Sequence, residues 1–365
     1  MAGGYEIADT LSTIREAFCC PLRSSHRPLG PDHNPAPALR AAPPRRRRPA
    51  PPPRAATPRQ HIIRMRFALP AWKHGRMGWV TTGDAAGFLA AAGIFLRAER
   101  ARNTVLLTVT QTATADPSTL AAPGEADPDK WPLFGWWTAD DGAVGGAFLH
   151  TPPFPVVLTA MPLPAATELA AKTLKDRPLA GVNAHDEVAT AFATAWANAT
   201  GGQVTVHRHM RLYRLAGLVW PDPAPPGAPR TAGDGDAALL TEWVTAFSNE
   251  VEETEGADHA AAVRERLSYG GLLLWETDDG PVSLVGFTRQ VAGMVRIGPV
   301  YTPPRFRGHG YGSAATAEVS RAALAAGADE VLLYTDLANP VSNSIYQRMG
   351  YQEVEDRLAL SFTSQ

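Results

Sequence analysis

Polar and apolar positions along this chain fall into two blocks that follow the same order of elements. In the first block, Gly83 to Arg100 carries Phe88, Leu89, Ile94, Phe95 and Leu96 at helical spacing. Thr104 to Thr110 is rich in β-branched residues and fits a strand or a helix. Phe134 to Thr138 and Ala143 to His150 predict a hairpin around Ala139-Asp140-Asp141-Gly142. Val156 to Met161 reads as a strand and Pro164 to Lys175 as a helix that starts at proline. Gly181 to Asn183 reads as a short strand, His185 to Ala197 as a helix, and Val204 to Leu215 as a long alternating strand.

A proline-rich stretch, Trp220 to Gly227, separates this block from the next. It is stiff and unsuited to a sheet interior, so it marks the domain boundary. Beyond it, Ala237 to Val251 and His259 to Leu267 predict helices, and Leu272 to Glu276 a strand. Ser283 to Gln290 and Met294 to Thr302 predict a hairpin. Gly312 to Ala326 is a helix, Glu330 to Thr335 a strand, Val341 to Met349 a helix and Leu358 to Phe362 a last strand. Trp137-Thr138-Ala139-Asp140-Asp141-Gly142 echoes Trp275-Glu276-Thr277-Asp278-Asp279-Gly280. Together these point to an internal duplication with a period of about 140 residues.

Composition adds a third segment. Residues 1–64 are a Pro/Arg/Ala tail, with Arg45 to Arg48 between prolines and Pro51 to Pro53 following. Such a stretch buries too little apolar surface to offset its ordering entropy, so disorder is expected. It reads as an unstructured leader, with Met65 or Met77 as an alternative start, or as a tethering arm for RNA or membrane. Residues 1–66 hold twelve arginines and four acids, so the remainder carries −10 of the total −2. An acidic globular part argues against broad nucleic-acid binding. The two cysteines, Cys19 and Cys20, lie in the tail, which leaves the folded part without a thiol or a cysteine metal site. No apolar run approaches the roughly 20 residues of a membrane span, and no secretory signal is evident. A cytoplasmic protein is expected.

The chemistry concentrates at Arg307-Gly308-His309-Gly310-Tyr311-Gly312-Ser313, between a predicted strand and a helix. Glycines let the backbone take positive φ and approach a ligand closely. The helix N-terminus leaves amide hydrogens unpaired at its positive dipole end, which suits a diphosphate. The spacing is neither a Walker loop nor a dinucleotide fingerprint. It does fit Arg/Gln-x-x-Gly-x-Gly/Ala. Together with Gly298-Pro299-Val300-Tyr301-Thr302-Pro303-Pro304 and Asn339-Pro340-Val341-Ser342-Asn343-Ser344-Ile345-Tyr346, it resembles the GNAT superfamily of N-acetyltransferases. The likeness is specific over about 280–363 and looser from 228.

That resemblance implies an α/β fold of two tandem GNAT-like domains, each a mixed, mostly antiparallel sheet flanked by helices. The boundaries would be 78–219 for a degenerate domain, 220–227 for a linker and 228–365 for the catalytic domain. It implies acetyl-CoA as cosubstrate and no metal. Main-chain amides of Val300, Tyr301 and Thr302 would meet the pantetheine arm. Gly308, His309, Gly310, Tyr311, Gly312 and Ser313 would hold the diphosphate, with Arg307 adding charge. Asn339 and Asn343 would contact the cosubstrate, and Asn339 and Tyr346 would be the catalytic pair, with Tyr346 the general acid. The acceptor would be a small amine or a peptide amine, attacking the thioester directly.

Glu250, Glu252, Glu253 and Glu255 are candidate bases, though a charge run is usually a solvated face and water could do the work. Arg296, two pleats from Val300 and on the same face, could bind an acidic substrate group. The first block has no Arg-x-x-Gly-x-Gly, and only Pro162-Leu163 between its strand and helix, so it reads as having lost cosubstrate binding. Trp131, Trp136 and Trp137 could line a cleft or fill a core. His207 and His209 could bind metal, but no third ligand is evident. A homodimer is compatible with all of this, and the alternative reading is a non-catalytic acyl-CoA sensor or scaffold.

Overall fold

A computed structural model describes residues 77–115, 131–152, 154–251 and 259–363. The predicted tail, residues 1–64, lies outside the described residues. The first half runs β1 (Gly78–Thr82), α1 (Ala85–Ala98), α2 (Thr104–Ala115), β2 (Leu133–Thr138), β3 (Val144–His150), β4 (Val156–Leu158), α3 (Leu163–Glu168), β5 (Gly181–His185), α4 (Asp186–Thr200) and β6 (Gln203–Leu215). The second runs β7 (Ala228–Thr231), α5 (Ala237–Glu250), α6 (His259–Leu267), β8 (Leu272–Thr277), β9 (Gly280–Phe287), β10 (Met294–Tyr301), α7 (Tyr311–Ala325), β11 (Glu330–Asp336), α8 (Pro340–Arg348) and β12 (Tyr351–Thr363). The order of elements is the same in both halves, as the duplication predicts.

Local chemistry explains where the pattern was ambiguous. Thr104–Ala115 is a helix, and its threonine hydroxyls are satisfied within it: Thr108 Oγ1 donates to Thr104 O at 2.7 Å and Thr114 Oγ1 to Thr110 O at 2.8 Å. Helix α1 begins at Asp84, whose side chain accepts from Ala86 N at 2.9 Å. Helix α3 stops early and continues as a π turn over Leu169–Thr173. Two strands escape the sequence pattern. β1 is short, and β7 contains Pro229, which only an edge strand tolerates. β12 is far longer than its apolar core, because Arg211 on the neighbouring strand holds its acids: Asp356 at 2.5 and 2.6 Å, Glu353 at 2.6 Å.

All twelve strands form one sheet, in the order β1-β2-β3-β4-β5-β12-β6-β11-β10-β9-β8-β7. This order is palindromic with respect to the duplication, except that the last strands have changed places. β6 of the first half pairs with β11 of the second, and β12 of the second pairs with β5 of the first. At the centre β6 and β12 pair with each other along their whole length. The proline-rich stretch then carries the chain from the middle of the sheet to its far edge, where β7 begins.

Helices cover both faces. α1 and α2 pack on β2 and β3, and on Leu212, Met294 and Leu332 of the central strands, so the first half's helices also cover second-half strands. α7 and α8 cover the opposite face around Tyr213, Val295, Ile297, Leu333 and Tyr351. α3 and α4 pack on β3, β4, β5 and the end of β12.

One buried titratable group gives a pH prediction. His150 is 1 % exposed, and its Nδ1 accepts from Arg177 Nε at 2.7 Å. Burial, aided by the Arg177 charge, pushes its pKa down to about 3. The unfolded chain therefore binds a proton at about pH 6.5 that the folded chain refuses until about pH 3. This contribution to stability is complete above pH 6.5 and falls by about 1.4 kcal/mol per unit as pH drops below it. Urea midpoints between pH 7 and 4.5 are expected to fall more steeply for wild type than for His150→Gln. Parallel slopes would disprove this.

Candidate active site

The second half opens its sheet at one place. β10 and β11 run parallel and pair from Met294↔Glu330 to Ile297↔Leu333, and no further. On its other side β10 stays paired with β9 through Val300↔Val285 and Tyr301↔Leu284. Beyond Ile297, then, the inner edge of β10 has no strand partner among the described residues, and its backbone is available for an extended chain to add. The register with β9 shifts between Ile297 and Val300, with Gly298 at φ +150° at the bulge. That extra residue reverses the alternation. Val300 shares a face with Ile297, and Arg296 lies on the opposite face. The expected common face of Arg296 and Val300 is corrected accordingly.

The glycine turn follows directly. A 3₁₀ turn at Pro304–Phe306 leads into Arg307, Gly308 at φ +80° and Gly310 at φ +83°, and α7 starts at Tyr311. Both glycines hold a left-handed conformation that costs other residues energy. The first helical bond runs from Ala314 N to Gly310 O at 3.0 Å, so the amides of Tyr311, Gly312 and Ser313 have no acceptor within the helix. Gly312 lets this helix end sit on β10. A Cβ there would lie 3.1 Å from Thr302 Oγ1 and 3.7 Å from Val300 Cγ1. Thr302 Oγ1 also meets Ser283 Oγ at 2.8 Å. The His309 ring stacks on Tyr311 at 5.6 Å.

Arg307 is engaged with protein. Its Nε donates to Thr302 O at 2.8 Å and its Nη2 to both carboxylate oxygens of Glu250 at 2.7 Å. It clasps the end of β10 to the end of α5, and it occupies Glu250, one of the candidate bases. Glu252, Glu253 and Glu255 lie outside the described residues. Tyr301 is buried against Trp243, with ring centroids 6.2 Å apart.

Across the opening stands α8. Asn339 caps it, accepting from Ser342 N at 3.0 Å. The Asn343 amide is fully used inside the protein: Nδ2 donates to Asp336 O at 2.9 Å and Asn339 O at 2.7 Å, and Oδ1 accepts from Tyr213 at 3.0 Å. Tyr213 was not legible as a site residue, because it comes from β6, in the other half of the chain. Tyr346 is buried, edge-on to Tyr351 with centroids 6.0 Å apart. Its hydroxyl has no hydrogen-bond partner among the described residues, and burial pushes its pKa up to about 12. It therefore keeps its proton throughout the neutral range.

The matching place in the first half is closed. β4 and β5 pair in parallel only as far as Val157↔Asn183. There the guanidinium of Arg357, reaching from β12, fills the divergence. It donates to Leu158 O at 3.1 Å, Asn183 O at 2.9 Å, Asn183 Oδ1 at 2.8 Å and Glu355 Oε2 at 2.9 Å. Trp136 and Trp137 are buried, and Trp131 is half exposed. His209 lies 4.0 Å from Asp186. Among the described residues no three metal-ligating side chains converge, and no helix is long and apolar enough to cross a membrane.

Residues 237–351 match the model of the acetyltransferase (GNAT) family. No curated protein matches the chain in sequence. Among solved structures, a GCN5-related N-acetyltransferase from Sphaerobacter thermophilus is similar in fold, at 17 % identity and a TM-score of 0.51. The likeness covers 78 % of this chain and 95 % of that one. A Drosophila protein is similar at 14 % identity and a TM-score of 0.54, over 79 % of this chain and 99 % of that one.

Proposed function

We propose that the protein, whose residues 237–351 match the model of the acetyltransferase (GNAT) family, transfers an acetyl group from acetyl-CoA to a primary amine, in the opening between β10 and β11. The observation that carries this reading is the loss of the β10–β11 pairing after Ile297, next to a turn whose amides have no helical acceptor. The amides from Gly308 to Ser313 would hold the diphosphate of the thioester substrate. The free edge of β10 at Val300 and Tyr301, with the Thr302 amide just beyond it, would pair with its pantetheine arm.

The amine nitrogen attacks the thioester carbonyl carbon, the C–S bond breaks, and the amine sheds its proton to water. Tyr346 donates its phenolic proton to the departing thiolate and recovers one from solvent. Asn339 and Asn343 shape the first turn of α8 that carries Tyr346. The acceptor is a small amine or a peptide amine, and the first half, its own slot filled, serves as a non-binding partner domain.

Tyr346→Phe keeps the ring and removes the proton. It is expected to lower kcat about 100-fold while leaving the KM for acetyl-CoA nearly unchanged, read as thiol release over a panel of primary amines. Wild type that acetylates no amine, while acetyl-CoA still raises its melting temperature, would favour a non-catalytic acyl-CoA sensor instead.

A further inference from the structure

Helix α8 is held weakly by apolar contact. It has nine residues, and Tyr346 is the one among them that is buried; Val341 is 67 % exposed. Its position therefore depends on polar ties, and these converge on a residue from the other half of the chain. Tyr213 lies on β6 between Leu333 of β11 and Glu353 of β12, at 0 % exposure.

The Tyr213 hydroxyl donates to Asn343 Oδ1 at 3.0 Å, and Asn343 Nδ2 in turn binds Asp336 O and Asn339 O. One phenol thus fixes the side chain that stitches the last residue of β11 to the first turn of α8. Gln347, one turn on, places its Nε2 3.4 Å from the same phenol and 3.0 Å from Glu353, which Arg211 holds at 2.6 Å. Asn343 and Tyr346 are three residues apart, and so neighbours on the helix surface.

We propose that Tyr213, supplied by the first half through the exchanged strand β6, is a positioning residue for acyl transfer in the second half. It holds α8 so that the Tyr346 hydroxyl stands at the reacting thioester. The proposal rests on the reading of Tyr346 as proton donor. It gives the first half a role in catalysis although its own slot is closed: without β6 there is no Tyr213 beside α8.

The test is Tyr213→Phe in the full chain, which retains the buried ring. Amide exchange is expected to quicken across residues 340–348 and to stay unchanged across 311–325. With acetyl-CoA and the best of a panel of primary amines (spermidine, tyramine and lysine among them), kcat is expected to fall about tenfold, with the KM for acetyl-CoA within about twofold. The double variant Tyr213→Phe/Asn343→Ala is expected to be little worse than Asn343→Ala, because the Asn343 bond is the shorter of the phenol's two ties to α8. A purely structural hydroxyl would lower the melting temperature and leave kcat unchanged.

Unchanged exchange in α8, or faster exchange with kcat unaltered, overturns the proposal. If it alone fails, Tyr346→Phe is impaired and Tyr213→Phe is not. If the reading beneath it fails, Tyr346→Phe itself is as active as wild type.

Discussion

Replacing Arg357 with methionine is expected to lower the unfolding free energy by about 3–5 kcal/mol. The Arg357 and Glu355 side chains are each 4 % exposed and meet at 2.9 Å. In the variant, the Glu355 carboxylate is left buried without its counter-charge, and a charge stranded in that way costs several times what the pair contributed. The same guanidinium also satisfies Leu158 O and both oxygens of Asn183, at the point where β4 leaves β5. Those acceptors lose their donor together, and their desolvation is part of the loss. Glu355→Gln/Arg357→Met should recover part of the loss, because it removes the stranded charge but not the orphaned carbonyls. Urea unfolding reads both variants through the midpoint, at unchanged slope. A loss below about 1 kcal/mol for Arg357→Met would mean that water reaches this site and that the slot is not sealed.

The second large effect is expected on binding. Gly308 and Gly310 sit at φ +80° and +83°. Valine at such a position costs roughly 1–3 kcal/mol, so Gly308→Val/Gly310→Val strains the turn by about 2–6 kcal/mol. The turn is exposed, so it can relax outward. Its amides then no longer point to one place, and the fold remains intact. Acetyl-CoA affinity is expected to fall about 100-fold or more, each 1.4 kcal/mol being tenfold. The thermal shift that acetyl-CoA confers should shrink with it, while the melting temperature without ligand stays nearly constant. Gly312→Ala tests close packing instead, since its Cβ would press on Thr302 Oγ1 at 3.1 Å without positive φ. Undiminished affinity in the double valine variant would place the diphosphate elsewhere.

Beside this turn, Arg307 links the end of β10 to the end of α5. The sequence suggested a cation for the diphosphate, and the structure has it bridging Thr302 O and Glu250. Both descriptions concern the same turn. The guanidinium fixes the chain just before Gly308, so the amides that follow are pre-set, a gain that comes from lower ordering cost.

Much of this protein was determined by short stretches of sequence. Apolar spacing located α1 and the helices from α3 to α8, and the hairpins β2–β3 and β9–β10, because both periods are written within one or two turns or pleats; at α2 it left strand and helix open. The turn from Arg307 to Gly312 was equally legible, since positive φ at Gly308 and Gly310 is a local demand that glycine meets.

Tertiary structure alone decided the rest. No local signal shows that β6 and β12 change places, because strand pairing is settled by partners far apart in sequence. The consequences follow from that one exchange. Arg357 closes the first half's slot, and Tyr213 reaches Asn343 across 130 positions. The bulge at Gly298 turned Val300 to the face opposite Arg296, because one inserted residue reverses every side chain beyond it. Residue types and their spacing fixed what each segment could form. Which side chains met at the site depended on the free energy of burying all twelve strands in one sheet.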